Sequence, residues 1–294
     1  MNNIKFNNFT RIKCFFFVVC LSLLIGVWGC NPSGPVTNPG QYHLEMVHNG
    51  LDRTYELHVP ASYDGSNPVP LLFDLHPLVI NGLTMDAMTN FRALSEVKGF
   101  IVVQPNGIDG SWNAGPKCCD PAYSAGYDDI GYIRALRDEL VNLGFNIDLS
   151  NVFADGMSNG GYLAHAIACE DTELFTGISG IAASMPYPNV NDCQPTEPKP
   201  VLMISGGDDN IADREISFNR WVTLNNCTGS PATENFGVFT CSTYTSCDAG
   251  VETTHCVGAG VGHCWPGTAF TIYSCNQDLD ASQYTWDFFE RNSQ

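Results

Sequence analysis

Gly156-Met157-Ser158-Asn159-Gly160 sets a serine hydroxyl between glycines, with the apolar run Val152-Phe153-Ala154 before it and a helical apolar pattern, Tyr162 to Cys169, after it. A short strand that turns sharply into a helix lifts such a hydroxyl clear of the sheet edge, and the flanking glycines permit the tight turn. The helix N-terminus behind it favours developing negative charge. These residues suit Ser158 to attack a carbonyl carbon.

A serine hydroxyl is a weak nucleophile until a base takes its proton, and the base needs a third group to fix its tautomer and stabilise the imidazolium. Both partners can be sought downstream. Val201-Leu202-Met203-Ile204-Ser205-Gly206-Gly207-Asp208-Asp209-Asn210 is a strand pattern running into a turn with adjacent carboxylates. Asp209 is the chosen acid and Asp208 its competitor, because neighbouring side chains point different ways and only one can face a base. Gly258-Ala259-Gly260-Val261-Gly262-His263-Cys264-Trp265-Pro266-Gly267 then places His263 in a glycine-rich loop, just after the strand pattern of Val251 to Val257. His263 is the chosen base. The chain order serine, acid, histidine is the one used on the α/β-hydrolase fold.

The other histidines fit the part less well. His43, His48, His58 and His255 lie in strand-like alternation and read as surface or edge residues, and His165 reads as packed within the helix that follows Ser158. His76 ends the run Leu71 to Leu75, where the first oxyanion loop of such enzymes begins. It is expected beside the site, in a structural or substrate-facing role rather than in proton transfer. Acyl transfer also needs N–H donors aimed at the tetrahedral oxyanion. The backbone of Asn159 is the expected first donor. Pro77 has no N–H, so Leu78 is the candidate for the second.

These side chains need elements to hold them. Arg53 to Pro60 alternates polar and apolar residues and reads as an early antiparallel strand with one buried face. Val69 to Leu75, Phe100 to Val103, Val152 to Ala154 and Val201 to Ile204 are short apolar runs, as central parallel strands show when both faces are covered. Between them, Ile130, Ile133, Leu136, Leu140 and Leu143 recur at helical steps; Tyr162 to Cys169, Ile216 to Leu224 and Ala281 to Arg291 are similar. The alternation predicts an α/β fold: a single domain with a mostly parallel central sheet, helices on both faces, and a ligand site at the carboxyl ends of the strands.

At the N-terminus, Lys5, Arg11 and Lys13 precede an apolar run from Cys14 to Trp28, the layout of an export signal. The run falls short of the roughly 20 residues that a spanning helix needs, which favours cleavage over permanent insertion. Val27-Trp28-Gly29-Cys30 resembles a bacterial lipobox, in which Cys30 would carry lipid and become the mature N-terminus; ordinary secretion is the other reading. The expected organisation is a signal peptide over 1–29, a Pro, Gly and Asn-rich tether over 30–40, and one catalytic domain over 41–294.

The chain carries a formal net charge of −18, and the first 29 residues hold three of its cations and no acid. So acidic a surface repels nucleic acid and anionic membranes. Ten cysteines follow Cys30, an even number without the paired CxxC or Cys/His clusters of a zinc site. Disulfides formed in an oxidising compartment are therefore expected, and no metal. Cys241 and Cys247 flank a short Ser-Thr-Tyr-Thr-Ser segment and are plausible partners.

From Tyr55-x-Leu57-x-Val59-Pro60 to Trp286-Asp287-Phe288-Phe289, the chain resembles the exported feruloyl esterase and polyhydroxybutyrate depolymerase group of α/β-hydrolases, close to carbohydrate esterase family one. The motifs behind the resemblance are Gly110-Ser111-Trp112-Asn113-Ala114-Gly115, Cys118-Cys119, Asp128-Asp129-Ile130-Gly131, Gly156-Met157-Ser158-Asn159-Gly160-Gly161 and Gly262-His263-x-Trp265-Pro266-Gly267. It implies a nucleophile, acid and base at Ser158, Asp209 and His263. Two motifs depart from the family pattern: His76-Pro77 replaces His-Gly, and Ser205-Gly206-Gly207-Asp208-Asp209 replaces His-Gly-Thr-x-Asp.

The resemblance leans toward the feruloyl esterase branch. It implies feruloyl or acetyl esters on plant cell-wall polysaccharide as substrates, with no cofactor. Trp112 either lines the acyl pocket or packs in the core, and His76 and Trp265 are further candidates for substrate contact. Polyester depolymerisation is the alternative activity. A catalytically silent, glycan-binding envelope lipoprotein is the alternative of another class, although a binding module has no need of the three triad positions.

Overall fold

Among the described residues, the apolar runs and the alternating segment join further strands in one sheet of ten. The computed structural model describes residues 37–210, 213–270 and 275–293. The expected signal, Cys30 and most of the expected tether lie outside the described residues. Described strands are β1 (Gly40–His48), β2 (Leu51–Val59), β3 (Val69–Leu75), β4 (Ile101–Pro105), β5 (Ile147–Met157), β6 (Gly177–Ile181), β7 (Val201–Gly206), β8 (Ala232–Phe236), β9 (Phe239–Tyr244) and β10 (Thr253–Gly258). Helices are α1 (Gly82–Thr89), α2 (Phe91–Lys98), α3 (Ala122–Ala125), α4 (Asp129–Asn142), α5 (Asn159–Glu170), α6 (Arg214–Leu224) and α7 (Ala281–Arg291).

The strand order is β1-β2-β4-β3-β5-β6-β7-β10-β9-β8. Strands β4, β3, β5, β6, β7 and β10 run parallel, while β1 and β2 at one edge and β9 and β8 at the other are antiparallel additions. A parallel strand inside such a sheet is covered on both faces and reads as a continuous apolar run. Strand β5 shows how the cover divides: Val152 and Ala154 face a core shared with α4, α5 and α6, whereas Phe153 and Met157 face a second core shared with α1, α2 and α7. On that second side Phe153 stacks on Phe289 at 4.5 Å between centroids. The expected mostly parallel sheet with helices on both faces is therefore what the chain forms.

The cysteines pair as Cys118–Cys119, Cys169–Cys193, Cys227–Cys247, Cys241–Cys256 and Cys264–Cys275. This corrects the expected Cys241–Cys247 bond. Cys241 lies within β9, directly opposite Cys256 on β10, and Cys247 lies beyond the strand, where it meets Cys227 just past α6. Two other expectations change as well: His58 and His255, read as surface or edge residues, are buried at 8% and 3% exposure. His255 Nε2 meets Ser205 Oγ at 3.1 Å, and burial pushes its imidazole down to about 4.

Candidate active site

Strand β5 delivers Ser158 in a backbone conformation that few side chains adopt. Its φ of 51° and ψ of −119° lie outside the helical and extended basins, at a cost of about 1–3 kcal/mol that surrounding contacts must offset. The peptide is held there by Ser158 N–H donating to Ile181 O at 2.8 Å and Tyr162 N–H donating to Ser158 O at 2.8 Å. The glycines of the motif serve close approach. A Cβ on Gly156 would meet Gly160 C at 2.5 Å, one on Gly160 would strike Leu75 O, and one on Gly161 would meet the Ala183 Cβ at 2.6 Å. The sharp turn therefore fits only where these positions lack side chains.

Asp209 and His263 come from the turns after β7 and β10, neighbouring strands in the sheet. The two turns are joined by backbone bonds, Gly207 N–H to Gly258 O at 2.7 Å and Asp208 N–H to Val261 O at 2.8 Å. Gly206 permits the contact, since a Cβ there would land on the carbonyl oxygens of Val261 and Gly262. His263 Nδ1 lies 2.9 Å from Asp209 Oδ2, with the carboxylate side chain 4% exposed and the imidazole 34%. An ionised carboxylate only accepts, so Nδ1 carries the proton and Nε2 is left as the basic nitrogen. Asp208, the competing acid, points to solvent. An open groove of 530 Å³ runs beside His263, walled by Val238, Gly260, Gly262, Cys264 and Asn276.

The expected oxyanion donors stand close to the serine in the chain or at an adjacent strand end. Asn159 is the first residue of α5, where leading N–H groups have no partner inside the helix. Leu78 follows β3, next to β5; the N–H of its neighbour Val79 is taken by Gly110 O at 2.8 Å.

The loop after β4 is fixed from three sides. Asn159 Oδ1 accepts from Trp112 N–H at 2.7 Å and Asn159 Nδ2 donates to Trp112 O at 2.9 Å. Trp112 Nε1 donates to His76 O at 2.9 Å. Asp129 Oδ2 accepts from Asn113 N–H at 2.7 Å, and Asp129 Oδ1 from Arg53 Nη2 at 2.7 Å. Burial raises the Asp129 carboxyl, and the Arg53 cation opposes that shift. Arg53 in turn lies 3.7 Å from the centre of the Tyr132 ring. The Asp128-Asp129-Ile130-Gly131 motif thereby gains a physical reading: Asp128 caps α4 by accepting from Gly131 N–H at 2.9 Å, and Asp129 anchors the loop.

None of the three expected substrate-contacting residues presents surface. Trp112 and His76 are 0% exposed and Trp265 is 1%. Trp112 packs in the core against the His76 ring at 4.8 Å, and Trp265 lies in the opposite core, donating to Ser282 Oγ at 3.2 Å. His76 Nε2 accepts from Gly107 N–H at 2.9 Å, so its Nδ1 bears the proton and donates to Pro77 O at 2.7 Å. Burial pushes that imidazole down to about 4, which keeps it neutral and structural. His165 is packed as expected, accepting from Trp221 Nε1 at 3.0 Å, with burial taking it to about 3.

Arg53, which lies outside the motifs, carries a signal in the sequence. It shares the alternation phase of Tyr55, Leu57 and Val59, the buried side of β2, where an arginine requires a partner.

Comparison with known proteins follows the same lines. No family model matches the chain. It is 31% identical over 181 residues to NocK of Nocardia uniformis, named as an esterase, spanning 60% of this chain and 50% of that protein. It is 28% identical over 184 residues to an Aspergillus niger protein named for feruloyl esterase C, spanning 60% of this chain and 62% of that one. The chain thus spans half to three-fifths of the length of these relatives. Acetyl xylan esterase from Aspergillus awamori superposes with a TM-score of 0.61 at 17% identity, covering 85% of this chain and 99% of that one. The chain has the α/β-hydrolase fold and resembles the feruloyl esterases. In that fold Ser158, Asp209 and His263 follow the carboxyl ends of β5, β7 and β10.

Proposed function

We propose that this protein is an exported serine hydrolase of carboxylic esters, with Ser158 as nucleophile, His263 as base and Asp209 as the group that orients and steadies the imidazolium. The observation that carries the reading is the 2.9 Å bond between His263 Nδ1 and Asp209 Oδ2, on the sheet end where Ser158 is held at positive φ. In the first step His263 Nε2 takes the Ser158 proton, Oγ adds to the ester carbonyl, and the collapsing tetrahedral intermediate expels the alcohol, which receives that proton. In the second step water, deprotonated by the same nitrogen, adds to the acyl-enzyme carbonyl, and collapse of the intermediate releases the acid as Ser158 Oγ takes that proton back. The N–H groups of Asn159 and Leu78 are the proposed donors to the oxyanion.

The proposed substrates are feruloyl or acetyl esters on plant cell-wall polysaccharide, a reading supported by the relative named for feruloyl esterase C. Five disulfides suit an oxidising compartment. We place the protein outside the cytoplasm, held by lipid at Cys30.

A panel of p-nitrophenyl acetate, methyl ferulate, acetylated xylan and polyhydroxybutyrate, together with a fluorophosphonate probe, tests the reading. Turnover of methyl ferulate or acetylated xylan with covalent labelling is expected. Turnover of the polyester alone would move the protein to the depolymerases, and failure to label would remove the hydrolase reading.

A further inference from the structure

Arg214 opens α6 and turns its guanidinium back onto the turn that carries Asp209. Nη1 donates to Asp209 O at 2.8 Å and Nη2 donates to Gly207 O at 3.0 Å. A guanidinium presents its donors in a rigid planar fork, so one side chain fixes two carbonyls two residues apart, which a single ammonium cannot reproduce. On its other side the turn is tied to the histidine loop by the Gly207 and Asp208 N–H groups. The preceding residue, Asp213, is held by Lys117 Nζ at 2.5 Å, from the loop that also contains Trp112. Arg214 therefore grips both the acid's own carbonyl and the carbonyl two residues before it, and its side chain is only 22% exposed.

We propose that Arg214 is a positioning residue for hydrolysis: by clamping the carbonyls of Gly207 and Asp209 it holds the Asp209 carboxylate on Nδ1 of His263. The proposal rests on the reading of Ser158, Asp209 and His263 as the hydrolytic triad. Arg214 donates to main-chain carbonyls and moves no proton, so its effect belongs in kcat rather than KM. Loss of the fork lets the carboxylate drift, and His263 then spends less time in the tautomer and orientation that can take the serine proton.

The test is steady-state hydrolysis of p-nitrophenyl acetate by the wild type and by Arg214→Ala, Arg214→Lys and Asp209→Asn variants. It is joined by the downfield NMR signal of the His263 Nδ1 proton and by circular dichroism. Arg214→Ala should lose about 10- to 100-fold in kcat, the scale of a displacement near 1 Å at a reacting group, with KM within about twofold. Arg214→Lys should recover little of it, and the Nδ1 proton signal should broaden or move. Added ethylguanidinium should restore part of kcat to Arg214→Ala and none to Asp209→Asn.

Full kcat and an unchanged proton signal in Arg214→Ala would overturn the proposal, as would a loss of kcat that only tracks the unfolded fraction and does not answer to ethylguanidinium. If Arg214→Ala does not fold, Arg214→Gln, which retains one donor nitrogen, is read by the same criteria. A wild-type protein that neither turns over the ester nor takes a fluorophosphonate removes the triad reading, and the proposal with it. An active wild type with an unaffected Arg214→Ala removes the proposal alone.

Discussion

Asn159 and Trp112 exchange two hydrogen bonds, side-chain amide to backbone amide, at 2.7 and 2.9 Å, with both residues wholly buried. The residue after the nucleophile thereby secures the loop that follows β4, and a planar group with one acceptor and one donor is what the exchange requires. Asn159→Asp keeps the size but replaces the donor with a second acceptor facing Trp112 O. It should cost about 1–3 kcal/mol of stability, the penalty for leaving a buried polar group unpaired, measured by urea denaturation. The rate of ester hydrolysis should drop with it, because the same residue's N–H is the proposed oxyanion donor.

A buried pair of carboxylates makes stability depend on pH. Asp74 on β3 and Asp155 on β5 are register partners on neighbouring strands, both 0% exposed. Asp74 accepts from Thr89 Oγ1 and Gln104 Nε2, each at 2.8 Å. Burial pushes its carboxyl up to about 7, and the Asp86 charge adds to the shift; Asp155 is raised as well, by burial and then by the Asp74 charge. A raised carboxyl binds more protons folded than unfolded, so stability is greatest below the unfolded value near 4 and is lost as pH climbs from there through about 7. One extra proton bound in the native state corresponds to about 1.4 kcal/mol per pH unit across that window. Asp74→Asn, which removes one of the two raised carboxyls, should make the profile shallower and be the more stable protein at pH 8. A wild type whose urea midpoint rises between pH 5 and pH 8 would contradict this.

The disulfide pattern can be read directly by mass. Digestion without reduction should yield linked peptides joining Cys227 to Cys247 and Cys241 to Cys256. A peptide joining Cys241 to Cys247 would contradict the β9–β10 register, which sets Cys241 opposite Cys256.

That pairing shows where the sequence stops being legible. β8 exposes four of its five residues and β9 is rich in threonine and serine, so the hairpin has no clear apolar run, and Cys241 looked like one side of a loop. Strand β6, Gly177-Ile178-Ser179-Gly180-Ile181, was missed for the opposite reason. Its glycines look like a loop, but a Cβ on Gly180 would meet His165 Nε2 at 2.6 Å, so they mark close packing inside the sheet.

The long central runs and the amphipathic helices were readable because covered strands and half-buried helices carry strong periods. α7 fell at the residues its pattern indicated, Ala281–Arg291. The pairing of Asp209 with His263 was legible from the turns that end two parallel strands. The burial of Trp112 was not, since it depends on Asn159, Asp129 and His76, which converge on its loop only in the folded chain.

The most direct measurement is kcat for p-nitrophenyl acetate hydrolysis by the wild type and by Ser158→Ala, with folding of the variant checked by circular dichroism. A serine that forms the acyl-enzyme should leave a folded variant slower by about 10⁴-fold or more. A folded Ser158→Ala protein that keeps wild-type kcat would contradict the account.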